Sequence, residues 1–209
     1  MKIFNNILFS LIAAFGISLT AQAAPAQPAD VVIKDATTEF QKLISDNHEA
    51  YRADLGAFYK VVDEKVVPLF DTKGIAQLVL GRNWRKATED QRTRFEAAFK
   101  DSLIRTYARA LLDYHDSVEA QWAPLRAEKD ATDVSVNADI IRKDASPVSL
   151  KFSAHVRGDQ WKIYDIAVEN ISLITNFRSQ INSEIKANGL DATIKKFEDN
   201  SYFKENTGS

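Results

Sequence analysis

The sequence contains no cysteine and few of the residues from which metal sites and phosphate-binding loops are built. Its 209 residues include seven glycines, three histidines and one methionine. Without cysteine there is neither a disulfide framework nor a thiolate metal site, so stability must come from a packed core. No two histidines have the spacing of metal ligands, and no P-loop, G-x-G-x-x-G or G-x-S-x-G motif occurs. We therefore expect neither a metal nor a cofactor.

The sequence also lacks an excess of basic charge and a second long apolar run. Its formal net charge is −2, which gives no reason to expect a nucleic-acid partner. The N-terminus combines Lys2, an apolar run over 7–19 and the small-residue cleavage pattern of residues 21–23. These features predict a signal peptide over residues 1–23 and a single secreted domain over 24–209, because the apolar run is too short for a membrane span.

The strongest local signal is a long helix that begins after Thr88. Thr88 and Gln91 have the spacing of a capping box, and acidic residues occupy the first turn. Large apolar residues then recur every fourth position and so share one face of the helix; they are Phe95, Phe99, Leu103, Tyr107 and Leu111. The same reasoning predicts helices over about 31–46, 55–67 and 72–80, with a turn over 83–87.

After Tyr114 the apolar period changes from about four to two. Four alternating runs, over about 117–122, 134–140, 148–156 and 161–166, predict an antiparallel sheet with one apolar face. Helical periodicity returns from Ile171 and ends near Phe197. The predicted fold class is α+β, with a helical part over about 31–114, a sheet of about four strands over 117–168 and C-terminal helices over 170–199 that close it.

Asp165 is the one acid that alternation places on the apolar face of the last predicted strand. One interpretation is a buried general base at a pocket mouth. The interpretation we favour is a structural acid held by hydrogen bonds, or a face assignment that slips by one residue. His155 is predicted on the polar face of its own strand. The apolar faces of the sheet and helix together form either an ordinary packed core or a cavity for an apolar ligand.

Three segments carry a resemblance to a known family. They are VVDEKVVPLFD at 61–71, LVLGRNWRKATEDQRTRFEAAFKDSLIRTYA at 78–108 and WKIYDIAVENISLITNFRSQI at 161–181. In this order and behind a signal peptide, they are similar to the MlaC, or toluene-tolerance auxiliary, family of Gram-negative bacteria. The resemblance covers nearly all of residues 24–209.

The resemblance implies a periplasmic phospholipid carrier that performs no covalent chemistry. Its fold would be a twisted antiparallel sheet of nuclear-transport-factor-like or cystatin-like topology, packed against a helical subdomain, with acyl tails held between sheet and helices. Its partners would be phospholipid, an outer-membrane lipoprotein–porin complex (MlaA-like) and the MlaD-like subunit of an inner-membrane ABC transporter. The implied role is to maintain the lipid asymmetry of the outer membrane, and nothing in the sequence requires more than a monomer.

Periodicity selects the residues that would line such a cavity. They are Phe99, Leu103, Tyr107 and Leu111 of the long helix; Val136, Ala138, Ile140, Leu150, Phe152, Ala154, Trp161 and Ile163 of the sheet; and Ile171, Ile174 and Phe177 near the start of the C-terminal helix. Two other functions stay open at this point. One is a periplasmic chaperone for lipoproteins or unfolded chains, and the other is a hydrolase or isomerase that uses Asp165 or His155.

Overall fold

The structure, a computed structural model, describes residue 25 and residues 27–116, 118–128, 130–142 and 145–203. The predicted signal peptide and Ser117 lie outside these residues. The helices are α1 (Ala29–Ala53), α2 (Leu55–Lys65), α3 (Thr72–Leu80), α4 (Arg82–Lys86), α5 (Glu89–Tyr114), α6 (Leu173–Asn188) and α7 (Leu190–Glu198). A 3-10 turn, Val67–Leu69, joins α2 to α3. The strands are β1 (Val118–Trp122), β2 (Asp133–Arg142), β3 (Ala145–Arg157), β4 (Gln160–Val168) and β5 (Ile171–Ser172).

The long helix α5 begins at the predicted cap. Gln91 N–H donates to Thr88 Oγ1 at 3.1 Å, and Thr88 N–H donates to Gln91 Oε1 at 3.0 Å, which completes the capping box. Glu89 and Asp90 lie in the first turn, where their negative charges interact favourably with the positive end of the helix dipole. The 26-residue helix is about 39 Å long and contacts α1, α2, α3 and α7.

The helical part before α5 differs from the prediction in two places. Helix α1 continues to Ala53, beyond the predicted end near residue 46, but Asn47 inside it has non-helical angles (φ −128°, ψ 15°). The predicted break at that position is therefore a kink within a longer helix. Residues 82–86, predicted within a turn, form the short helix α4, which buries Trp84 and ends before Ala87. Five residues with one large apolar side chain are too few to show a helical period.

The sheet is antiparallel with strand order β1-β2-β3-β4-β5, which confirms the α+β prediction. The fifth strand has only two residues and pairs with the end of β4. Pairing between β3 and β4 shifts at one point: Ser153 pairs with Asp165, and Ala154 pairs with Ile163. Tyr164 is thus an extra residue on β4. A bulge of this kind reverses the alternation of the residues that follow it.

The buried apolar residues form three clusters rather than one. The first joins α3–α7 around Phe95, Phe99 and Phe197. The second covers one sheet face with the start of α1, where Ala29 and Ile33 meet residues such as Val136. The third lies between α1, α2 and the end of α5. No described helix has both the length and the apolar character that a bilayer span requires.

Asp71 joins the start of α3 to the sheet. Gly74 N–H donates to its Oδ1 at 2.9 Å, which caps α3, while His155 Nε2 and Arg157 Nε lie 2.9 and 3.0 Å from its Oδ2. Asp71 N–H also donates to the Ile163 carbonyl at 2.9 Å. One side chain therefore fixes the helix end and the β3–β4 hairpin relative to each other.

Candidate functional site

A cavity of about 370 Å³ lies where the three apolar clusters approach one another. Its volume is within the range of about 300–1,000 Å³ that is usual for ligand pockets. Residues of α2, the 3-10 turn, α3, α5, β4 and α6 line it, and nearly all of the lining surface is apolar. The lining residues are Val62, Val66, Val67, Phe70, Thr72, Ile75, Glu96, Phe99, Lys100, Leu103, Ile104, Tyr107, Ala108, Leu111, Tyr164, Asp165, Ile166, Leu173, Ile174 and Phe177.

The apolar stripe of α5 changes its surroundings along the helix. Phe95 and Phe99 are buried in the first cluster, stacked at 5.4 Å between ring centroids. Leu103 is only partly buried, and Tyr107 and Leu111 are 47% and 46% exposed although both line the cavity. Large apolar side chains left open to solvent along a concave surface are typical of a ligand site rather than of a finished core.

Six of the residues selected from the sequence border this cavity. They are Phe99, Leu103, Tyr107 and Leu111 of α5 and Ile174 and Phe177 of α6. Ile171, also selected, precedes α6, is 64% exposed and does not border the cavity. Its side chain belongs to the short strand β5, because α6 begins two residues later than the apolar period suggested.

The eight residues selected from the sheet do not line the cavity. Most of them belong to the second apolar cluster beneath α1: Val136, Phe152, Ala154, Trp161 and Ile163. Ala138 and Leu150 border a separate, smaller cavity of about 210 Å³, and Ile140 is partly buried on β2. The apolar face of the sheet does not line the large cavity because Ala29 and Ile33 of α1 cover it. Alternation along the strands does not show which element covers a sheet face.

The sheet contributes to the cavity instead through the bulge on β4. Tyr164, Asp165 and Ile166 line the cavity at consecutive positions. Consecutive residues of a regular strand point to opposite faces, and the extra residue at Tyr164 relaxes that rule. Sequence reasoning placed Asp165 at a pocket mouth only in the interpretation that we did not favour, because nothing in the WKIYDIAV segment marks the bulge.

The opposite wall, from α2 to α3, was also missed. Val62 and Val66 lie on the predicted apolar face of α2, and Val67, Phe70 and Ile75 continue the wall through the 3-10 turn into α3. The sequence feature that could have identified these residues was the apolar face of two short helices. Periodicity predicted that face but did not show that it borders a cavity.

The polar residues of the lining are mostly bonded to one another or to the protein beyond. Tyr164 Oη donates to Asp133 at 3.1 Å, and burial followed by this contact raises the pKa of Tyr164. Lys100 Nζ lies 2.6 Å from Asp63 Oδ1 and 3.1 Å from Asp101 Oδ1. Burial alone would lower the pKa of Lys100, but these carboxylates outweigh it and raise the pKa, so Lys100 stays charged.

Asp165 has a structural partner. Its Oδ1 accepts a hydrogen bond from Ile174 N–H at 3.1 Å, in the first turn of α6, beside the cap that Ser172 supplies to Thr175 N–H. The register also places it opposite Ser153, away from the face of Trp161 and Ile163. The arrangement favours a structural acid over a general base.

We expect an Asp165→Asn variant to keep its fold, with an unfolding temperature close to that of wild type, because the amide oxygen still accepts from Ile174 N–H. Thermal unfolding measures the difference. Asp165→Leu, which removes the acceptor, serves as the contrasting variant and should lower the unfolding temperature. A hydrolase or isomerase activity that is present in wild type and absent in Asp165→Asn would contradict this assignment.

The histidines do not form a metal site within the residues that the structure describes. His48 and His115 stack with ring centroids 4.6 Å apart, and His155 contacts Asp71 and the Tyr164 ring. No group of three or more potential ligands that could hold a metal ion is found in this part of the chain.

Comparisons with known proteins agree with one another. The family model described as MlaC protein matches residues 34–199. The toluene tolerance protein ttg2D of Pseudomonas putida is 29% identical over 197 residues, covering 93% of this chain and 89% of that protein. The intermembrane phospholipid transport system binding protein MlaC of Haemophilus influenzae is 22% identical over 204 residues, covering 95% and 92%.

One solved structure that is similar to this chain contains a bound ligand. The phospholipid-binding protein from Ralstonia solanacearum, determined in complex with a phospholipid, superposes with a TM-score of 0.75 and is 29% identical. The match covers 83% of this chain and 96% of that one.

Proposed function

Because this chain belongs to the MlaC protein family, we propose that it is a periplasmic phospholipid carrier. It binds acyl tails in the cavity between α5, α6 and the α2–α3 wall, and it carries out no covalent chemistry. It takes phospholipid from one membrane-bound complex and delivers it to another. These complexes are the outer-membrane lipoprotein–porin assembly and the inner-membrane ABC transporter.

The observation that carries the proposal is the open, apolar cavity in a chain whose fold matches a phospholipid complex. Removing a methylene from water contributes roughly 0.8 kcal/mol, so ten buried methylenes of one tail would contribute about 8 kcal/mol. This gain must exceed the cost of association and of ordering the ligand before it appears as affinity, so tight binding requires long buried tails. The tails would lie against the six cavity residues named from the sequence and against the wall of Val62, Val66, Phe70 and Ile75.

Tight apolar binding also explains why a carrier needs partners. A ligand held by many methylenes leaves slowly unless a partner offers an equally apolar path or stabilises a more open form. Gly81 and Gly189 have positive φ angles of 53° and 86° at the ends of α3 and α6, two helices that line the cavity. We propose these two turns as the points at which the walls move during transfer.

Native mass spectrometry of the protein purified from cells tests the function. We expect a mass increase equal to that of phospholipid, with diacyl phospholipid recovered by organic extraction. Protein stripped of lipid should reload from vesicles. Bound peptides in place of lipid, together with a failure to reload, would overturn the proposal in favour of a chaperone.

A further inference from the structure

The short helix α4 carries a group of exposed cations. Arg82, Arg85 and Lys86 are all exposed, and their spacing of three and four residues places them on one face of the helix. Trp84, between them, is buried in the first cluster and anchors α4 to the rest of the protein. The exposed face of α4 therefore presents positive charge and no large apolar side chain.

Two arginines of neighbouring helices lie beside α4. Arg92 of α5 donates from Nε to the Trp84 carbonyl at 2.8 Å, and its guanidinium carbon lies 5.4 Å from the centre of the Trp84 ring. Arg178 of α6 donates from Nε to the Leu78 carbonyl at 2.6 Å and passes close to Gly81, the residue before α4. We call these five residues the basic patch: Arg82, Arg85, Lys86, Arg92 and Arg178.

The basic patch has no acidic counterpart. Among the residues that the structure describes, no carboxylate forms an ion pair with any member of the patch. Arg94, by contrast, pairs with Asp90, Asp191 and Glu198 on the other side of α5 from the patch residues it follows. The exposed cations of α4 are hydrated rather than paired, so their charge is available to an anionic partner.

Charge is divided unevenly over the chain. Residues 82–92 together with Arg178 hold five basic and two acidic side chains, which gives this region a net charge of +3. The whole sequence has a formal net charge of −2, so the remaining residues carry −5. Attraction of the patch and repulsion of the rest of the molecule would turn α4 toward an anionic surface before contact.

We propose that the basic patch docks this protein on the surface of an anionic phospholipid bilayer. Each lysine or arginine near such a surface strengthens binding about fivefold, and guanidinium groups bind phosphate oxygens in pairs. A protein partner fits less well, because the centre of a protein interface is enriched in aromatic and other apolar residues, and the exposed face of α4 has none. The inference goes beyond the proposed carrier function and does not rest on it, since no member of the patch lines the cavity.

Sedimentation with vesicles tests the proposal. The protein is mixed at low ionic strength with vesicles of phosphatidylcholine alone, and with vesicles in which half of the lipid is phosphatidylglycerol. We expect wild type to sediment with the anionic vesicles only. It should be released at about 1 M salt, where the screening length falls to about 3 Å.

The triple variant Arg82→Gln, Arg85→Gln, Lys86→Gln should bind the anionic vesicles about 100-fold more weakly, as three steps of about fivefold each. Glutamine keeps the length and helix propensity of these side chains. Arg92 and Arg178 are left in place because their hydrogen bonds join α4 and α3 to α5 and α6.

A second triple variant removes the same charge elsewhere. Its substitutions are Lys34→Gln, Lys65→Gln and Arg126→Gln, at exposed positions on α1, on α2 and after β1. It should bind the anionic vesicles to within about twofold of wild type, because charges more than a screening length from the surface contribute little.

Absence of wild type from the anionic vesicle pellet, or equal loss of binding in the two triple variants, would overturn the proposal. Retention of wild type on immobilised polyglutamate without binding to the anionic vesicles would also overturn it and assign the patch to an acidic protein. Native mass spectrometry separates this result from the carrier function. The Arg82, Arg85, Lys86 variant should retain as much phospholipid as wild type, and loss of its cargo together with vesicle binding would overturn the assignment of the patch to docking alone.

Discussion

Replacing Leu103 with aspartate should reduce phospholipid retention by about 100-fold or more while the protein stays folded. Leu103 lies midway along the cavity on α5 and is only partly buried, at the edge of the first cluster rather than inside it, so the new carboxylate would face the acyl tails. A carboxylate next to hydrocarbon loses hydration without gaining a partner, at a cost of several kcal/mol, and about 2.7 kcal/mol corresponds to a 100-fold change. Lipid retained after purification, measured by native mass spectrometry, gives the result.

Ala97→Asp is the matched control for this variant. Ala97 is exposed on the same helix, six residues before Leu103, and does not line the cavity, so aspartate at this position adds the same charge to α5 without reaching the tails. It should retain lipid as wild type does. Equal retention by the Leu103 and Ala97 variants would mean that the tails lie elsewhere. Circular dichroism on both variants separates loss of binding from loss of fold.

Replacing Asp71 with alanine should destabilise the protein by about 2–3 kcal/mol and lower its unfolding temperature by roughly 4–12 °C. The side chain is 14% exposed and joins the α3 cap to His155 and Arg157, so its loss removes a cap worth about 1 kcal/mol and leaves two partners without their acceptor. The Arg157 contribution is small because that side chain is 59% exposed. Calorimetry measures the change.

The effect should depend on pH in a definite direction. Burial alone would raise the pKa of Asp71, but hydrogen bonds from Gly74 N–H, Arg157 and His155 lower it below its ordinary value. A group with a depressed pKa in the folded state contributes stability that is complete above its unfolded pKa of about 3.9 and is lost as the pH falls through the folded value. The difference between wild type and Asp71→Ala should therefore be full near neutral pH and shrink below about pH 4.

Asp54 provides the comparison for the Asp71 variant. Asp54 caps α2 through Ala57 N–H at 3.0 Å but has no histidine or arginine partner among the described contacts. Asp54→Ala should therefore cost only the cap, about 1 kcal/mol, without a comparable loss at the sheet. If the two variants were equally destabilised, the contacts of Asp71 with His155 and Arg157 would contribute nothing to stability.

The sequence predicted the elements of this fold better than the walls of its cavity. The capping box at Thr88 and the four-residue period of α5 are local signals, and both appear in the structure at the predicted positions. Alternation correctly predicted that Val136 and Ala154 are buried. They are buried in the second cluster, under α1, and not in the cavity wall. Which of two apolar surfaces is covered depends on contacts distant in sequence, here those of Ala29 and Ile33.

The bulge at Tyr164 explains the remaining error. A single extra residue exchanges the faces of all positions after it. Strict alternation places Asp165 on the side of Trp161, but Asp165 pairs with Ser153 on the other face, as the interpretation of a face assignment that slips by one residue allowed. No residue type in this segment distinguishes a bulged strand from a regular one. The prediction for α5 did not have this problem. The face of a regular helix is set by its own period and does not depend on pairing with a neighbouring strand.

The apolar interior is divided into three clusters, so a ligand in the cavity is not needed to complete the core. Each cluster has buried members of its own, among them Phe95 and Phe197 in the first, Val136 and Ile33 in the second, and Phe58 and Leu112 in the third. The space between them can therefore stand empty while each cluster keeps most of its neighbours. The clusters and the cavity share residues, however: Phe99, Ile174 and Phe177 belong both to the first cluster and to the cavity wall, so substitutions that reshape the wall also affect the core.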